Sequence, residues 1–375
     1  MEITIDCGEL RTAVADAAKA IAAKSAMPIM SCVLLRMTGA HEMEVSAGNE
    51  DMTVTRTAHV IEGGDCALCV NAKTLSDALK NIPVRPITAT LEKEAVTFDY
   101  GNGKFTVPTQ NADDWPEDRK IDDDAVEVTA SVADMSDGLS RTSGCISAND
   151  VIHPVMSGVY MEAEGGRLTF SATDGHQLCR CVYRTPYEGE KRGMIIPGKA
   201  VSLLKSALAD GDEVTVTVGA RAAEFLAGDY RLRTALISGR YPNVNSVIPL
   251  TWSVTAVIDR EALTAAIRRV MPMAGASVGL VRMGFSRTGE LYLRAQDIDY
   301  SLSAEEAMQC ESCTGDVRVG LKGGFLSGLL SQTLAGSERV TFGLTDETRA
   351  VVMKPAEAMD GRDVTALLMP MVLND

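Results

Sequence analysis

Apolar positions along this chain switch between a period of two and a period near 3.6, and the switch recurs three times. Glu2-Ile-Thr-Ile-Asp6 alternates like a half-buried strand, then yields to Leu10, Val14 and Ala17 at helical spacing. Glu127-Val-Thr-Ala-Ser131 leads in the same way to Met135 and Leu139. Ser253-Val-Thr-Ala-Val-Ile-Asp259 leads to Leu263, Ile267 and Val270. Asp6, Ser131 and Asp259 fall at predicted N-caps, where a side-chain oxygen accepts an orphan backbone N–H. Glu9 and Asp134 stand at the third helical position and complete capping-box-like pairs, which Ala262 in the third copy does not.

Two further correspondences keep the same period. Ser46-Ala-Gly-Asn-Glu-Asp51 matches Ser171-Ala-Thr-Asp-Gly-His176 and Arg294-Ala-Gln-Asp-Ile-Asp299. Each is a strand end and a polar turn before another alternating strand, over Met52–Thr57, Gln177–Val182 and Tyr300–Ala304. Lys73–Lys80, Lys199–Lys205 and Lys322–Leu330 each predict a second helix. Strand-turn-strand patterns such as Ala95–Tyr100 with Lys104–Pro108 follow, with Gly101-Asn-Gly103 as the hairpin turn. Copies are offset by 125–126 and then 123–128 residues. Such self-similarity identifies a repeat architecture: an α+β chain of three two-helix, antiparallel-sheet modules at 1–120, 126–248 and 252–375. The polar Trp115–Asp124 segment and the proline-containing Pro242–Ser253 segment connect them.

Charge alters this picture by its placement. The chain of 375 residues carries a formal net charge of −15, which alone argues against phosphate binding. The predicted helices and their ends nevertheless concentrate bases: Lys19, Lys24, Lys73, Lys80, Arg141, Lys199, Lys205, Arg268, Arg269 and Lys322. Acids there keep to first turns, where they complement the helix dipole, and the acidic excess fills turns and linkers. Helices sharing one surface would make that surface basic inside an acidic molecule. The bland alternative is ordinary solvated helix faces. No apolar run is long enough to cross a membrane and no signal segment opens the chain, so a soluble, cytoplasmic protein is expected.

Nine scattered cysteines do not form a disulfide framework. Cys66-Ala-Leu-Cys69 and Cys310-Glu-Ser-Cys313 have zinc-ligand spacing, but they lie about 240 residues apart in strand-like stretches with no histidine following, so no metal or cofactor is expected. Asp174-Gly-His176 near Ser171 suggests a hydrolase, yet the pair suits a local turn hydrogen bond better. No nucleophile elbow, Walker A sequence or dinucleotide fingerprint accompanies it. An enzyme is therefore not expected.

Three stretches, Ala172-Thr-Asp-Gly-His-Gln-Leu178, Ser238-Gly-Arg-Tyr-Pro-Asn243 with Val247-Ile-Pro249, and Leu368-Met-Pro-Met371, resemble signature segments of the bacterial DNA polymerase III beta subunit, the sliding clamps. The threefold module and the length fit that family over the whole chain. The resemblance implies a DNA clamp fold closed into a six-module ring by a head-to-tail homodimer, with helices around double-stranded DNA held without sequence preference. It implies no catalysis, and partners comprising the polymerase III catalytic subunit, the clamp loader and other proteins with clamp-binding motifs. Lys24 matches a DNA-contacting position, and Asn149 and His153 fall in a loop that approaches the duplex. The partner-peptide pocket would comprise Met156, Thr173, Gly175, His176, Gln177, Leu178, Pro242, Val247, Leu367, Met369, Pro370 and Met371; flexible methionines suit a site that repacks around several ligands. The dimer contact would join Ile267, Pro272 and Met273 to the edge strand containing Lys104, Phe105 and Val107. Gln177 and Ser246 replace arginines of well-studied members, Val372 replaces a basic residue, and the chain continues to Asn374-Asp375. A decoy homologue that binds peptides without sliding is the alternative these departures suggest.

Overall fold

The computed structural model describes residues 1–208, 212–275 and 279–373; Asn374 and Asp375 lie outside them. The predicted helices form as α1 Cys7–Ala18, α2 Ala72–Leu79, α3 Val132–Ser143, α4 Gly198–Ala207, α5 Arg260–Val270 and α6 Gly323–Gly328. Asp6 caps α1 by accepting from the amides of Gly8 and Glu9, and Asp259 caps α5 through Ala262. The helical pattern continues past α6 as a π-helical turn, Leu329–Thr333.

Contacts group the chain into two compact units. The first, residues 1–133 with 202–236, holds a twelve-stranded antiparallel sheet. Its first strand, Glu2–Asp6, buries Ile3 and Ile5 and leaves the alternate positions outward, as period two requires. Leu10, Ala13, Val14 and Ala17 of α1 and Leu75 and Leu79 of α2 cover the same core. The second unit, residues 134–201 with 237–375, contains a nine-stranded and a four-stranded antiparallel sheet. Leu263, Ala266, Ile267 and Val270 of α5 are buried there.

The middle repeat contributes strands to both units because its sheets continue into those of its neighbours. In the first unit Met52 pairs with Thr234 and Thr53 with Arg233. In the second, Gln177 pairs with Leu368 and Leu178 with Leu367. Strand pairing is thus unbroken where the repeats meet.

Candidate partner-peptide pocket and basic surface

Within the second unit the three signature stretches converge. Strands Gln177–Arg184 and Arg362–Leu368 lie side by side, and the amide of Met369 donates to the carbonyl of His176 at 2.8 Å. The turn before them is held by Asp174, whose Oδ1 accepts from the amides of His176 (2.8 Å) and Gln177 (2.9 Å). Gly175 sits at φ +88°, a left-handed conformation that glycine adopts without strain. This carboxylate caps a turn through backbone amides.

Tyr241 ties the third stretch in. Its hydroxyl accepts from the Thr173 amide at 3.1 Å, and its ring stacks on Tyr160 at 5.0 Å. Beneath lies a buried cluster of Leu178, Ile195, Tyr241, Val244, Val352 and Leu367, with Trp252 packed against it. Leu178 and Leu367 therefore form an apolar floor, and Thr173, buried beside it, donates its hydroxyl to the Gln177 carbonyl at 2.7 Å. His176, Val247 (55% exposed) and Met369 (42% exposed) stand open above the fold, with Met156, Pro242, Pro370 and Met371 partly covered. An apolar floor with exposed apolar and methionine side chains beside it suits a short apolar segment. Gln177 belongs to the scaffold: it is 6% exposed, and its Nε2 donates to the Gly144 carbonyl and Asp174 Oδ2, both at 3.1 Å. The anchoring roles of Tyr241 and Trp252 were not anticipated, although Tyr241 lies inside a recognised motif. Val352 lay in a strand with no distinguishing pattern.

Of the expected basic residues, Lys19, Lys24, Lys73, Lys80, Lys199, Arg268 and Arg269 are exposed and Lys205 is half-buried; Asn149 and His153 are exposed. Lys19 bonds Asp16 at 2.8 Å, and Arg269 bonds Glu306 through Nε at 2.9 Å. Surface pairs of this kind are weak and exchangeable. Lys322 lies 4.4 Å over the Phe325 ring.

Arg141 departs from expectation. It is 5% exposed, with Nε on Asp137 Oδ2 at 2.8 Å and Nη1 on the carbonyls of Thr333 (2.7 Å) and Ala335 (2.9 Å). Asp137 also accepts from Tyr183 (2.8 Å) and Arg362 (2.6 Å). Burial alone would raise the Asp137 pKa; hydrogen bonds from Arg141 and Tyr183, with the charges of Arg141 and Arg362, outweigh it and hold the carboxyl below its ordinary value. This guanidinium braces the end of the α6 segment and is not available to phosphate.

The dimer set divides likewise. Lys104 and Pro272 are exposed, and Phe105 and Met273 are half-buried, Phe105 stacking on Phe98 at 4.9 Å. Val107 (4% exposed) and Ile267 (fully buried) face the cores and present no surface to a partner. Inward alternation in a strand and a buried helix stripe explain both.

Cys66 and Cys69, three apart in one strand, project to opposite faces. Burial pushes the Cys69 thiol up to about 12 and Cys310 up to about 11. Among the described residues no three metal-binding side chains cluster, and no helix is long and apolar enough to cross a membrane.

Family models for the DNA polymerase III beta subunit match residues 1–119 (N-terminal domain) and 132–243 (central domain). A beta sliding clamp of Pseudomonas aeruginosa is 26% identical, covering 93% of this chain and 94% of its own length, and that of Streptomyces coelicolor is 24% identical over the whole of both. A crystal structure of the Pseudomonas aeruginosa clamp superposes with TM-score 0.93 at 24% identity, and one from Bacillus subtilis with 0.92 at 16%, each covering 100% of both chains. With its continuous antiparallel sheets, its converging signature stretches and profile matches over well more than half its length, the chain belongs to the DNA polymerase III beta subunit family, the beta sliding clamps.

Proposed function

We propose that this chain encircles duplex DNA as a head-to-tail homodimer and tethers a replicative polymerase, its loader and other clamp-binding proteins through the pocket around His176, in the cytoplasm and without catalysis. The convergence of Thr173–Leu178, Tyr241–Val247 and Leu367–Met371 on one apolar floor carries the peptide-binding part of this reading. Ring closure is supported by unpaired strand edges. Among the described residues Lys104–Pro108 pairs along one side only, and Leu302–Gln309 ends its four-stranded sheet. A heterologous contact that joined such edges would extend the sheet between protomers and, if the rotation closed, end in a ring. Three modules per chain at 1–120, 126–248 and 252–375, two chains to the ring, would then supply six.

Exposed Lys24, Lys73, Lys80 and Arg268 suit contacts that hold phosphate weakly and read no bases, as sliding demands. In an otherwise acidic molecule, bases left exposed in this way would be the groups that draw DNA. The test has two stages. Light scattering should give about 80 kDa for a dimer of the 39.9 kDa chain. Loaded protein should then stay on circular DNA and run off linear DNA, and Lys24→Glu with Arg268→Glu should shorten retention on the circle. A monomer at micromolar concentration, or equal retention on both DNAs, would sink the proposal.

A further inference from the structure

The first unit repeats the architecture of the His176 pocket one module earlier. Trp115 and Pro116 precede Tyr241 and Pro242 by 126 residues, and the short turn Pro28–Ser31 likewise precedes Pro154–Met156. The hydrogen bonds repeat too. Asn49 Oδ1 accepts from the amides of Asp51 (2.9 Å) and Met52 (3.3 Å), as Asp174 does from His176 and Gln177. The Ala235 amide donates to the Asp51 carbonyl at 2.7 Å, matching Met369 on His176. Trp115 packs against a buried cluster containing Ile29, Met30, Cys32 and Cys69, as Tyr241 belongs to the cluster around Leu178 and Ile195. These elements wall a cavity of about 200 Å³ lined by Met27, Met30, Met52, Trp115, Pro116 and Arg233 among others.

Size, walls and charge point to one kind of occupant. The volume falls below the roughly 300–1,000 Å³ of cofactor and drug-sized sites, so it suits one or two side chains. Three methionines and a tryptophan favour an apolar anchor. At the rim Glu50 and Glu117 are exposed and have no ion-pair partner among the described residues. The arginines are already engaged: Arg119 with Asp51 and the Glu50 carbonyl, Arg233 with Glu224 and Asp118. The rim is therefore net acidic.

We propose that this cavity is a second peptide-docking site, taking an extended segment of a partner protein whose apolar anchor is flanked by Lys or Arg. The idea that this shape takes a peptide rests on the reading of the His176 pocket, and the test separates the two. The chain has two tryptophans, Trp115 at the new site and Trp252 against the His176 cluster. In Trp252→Phe protein, a blocked Lys-Leu-Phe-Leu-Lys peptide should change Trp115 emission saturably below millimolar concentration. Adding Met27→Arg, at a position 41% exposed, should weaken this roughly tenfold with an unchanged melting curve. Replacing the peptide's lysines by glutamates should abolish it. No saturable change, an equal response with Met27→Arg, or equal binding of the glutamate peptide would overturn the proposal. In Trp115→Phe protein the same titration reads the His176 pocket alone, so a response only there refutes the second site and leaves the first reading standing.

Discussion

Replacing Arg141 separates a structural base from a DNA-facing one. Arg141→Ala strips two carbonyls, of Thr333 and Ala335, of their donor and takes from Asp137 one of its three partners. An unsatisfied buried polar group costs about 1–3 kcal/mol. Water entering the space left by the side chain satisfies part of that, and Asp137 keeps Tyr183 and Arg362, so a total near 3 kcal/mol is expected, the low end for breaking a buried pair. In a cooperative unit of about 200 residues each kcal/mol moves Tm by about 2–4 °C, giving a loss of about 6–12 °C by calorimetry at pH 7. Arg141→Lys should recover only part, because one ammonium cannot replace the guanidinium fork. Retention of the folded variant on circular DNA, and its salt dependence, should match the parent. The sign of the pH effect follows from Asp137. Its folded pKa lies below the ordinary 3.8, so the stability it contributes is present above that value and lost as pH falls through the lowered one. Part of it depends on Arg141, so the Tm gap between parent and variant should narrow from pH 7 to pH 3. A melting point within 2 °C of the parent, combined with faster loss from DNA, would refute this assignment and return Arg141 to the basic surface.

Other outcomes follow from the same geometry. Ile267→Ala, fully buried on α5, should cost about 2–5 kcal/mol in denaturant unfolding, with any weakening of the dimer arising only through that loss. Phe105→Glu, in the half-buried edge position stacked on Phe98, should shift the light-scattering mass toward 39.9 kDa with a smaller fall in stability. His176→Ala should weaken binding of a polymerase-derived peptide in a fluorescence titration and leave retention on circular DNA unchanged, since the side chain is exposed and only its backbone holds the turn. EDTA should leave the melting curve unchanged, because Cys66 and Cys69 face opposite sides of a strand; a chelator-induced fall in Tm would show that a metal is held.

Periodicity and spacing in the sequence were enough for the six helices, the strands that lead into α1, α3 and α5, the caps at Asp6 and Asp259, the Asp174 turn and the hairpin at Gly101, whereas the strand expected at Tyr300–Ala304 runs instead over Leu302–Gln309. These are local matters, settled by which residues lie two, three or four apart and by which side chains reach their own backbone. The signature stretches likewise singled out the segments around His176, Tyr241 and Met369, which the fold brings side by side. What local pattern could not carry was partnership across the chain. Arg141 reads as one more base on a helix until a carbonyl 192 residues away, at Thr333, claims its guanidinium. Val107 and Ile267 read as contact residues until strand alternation and helix rotation turn them to the core. The sharing of the middle repeat between two units, and the cavity beside Trp115, whose hydrogen-bonded setting repeats the one around Tyr241, also depend on which strands pair at long range. Sequence fixes the periods of each element, whereas burial and charge compensation at a given side chain depend on the elements packed against it, and only the tertiary fold decides those.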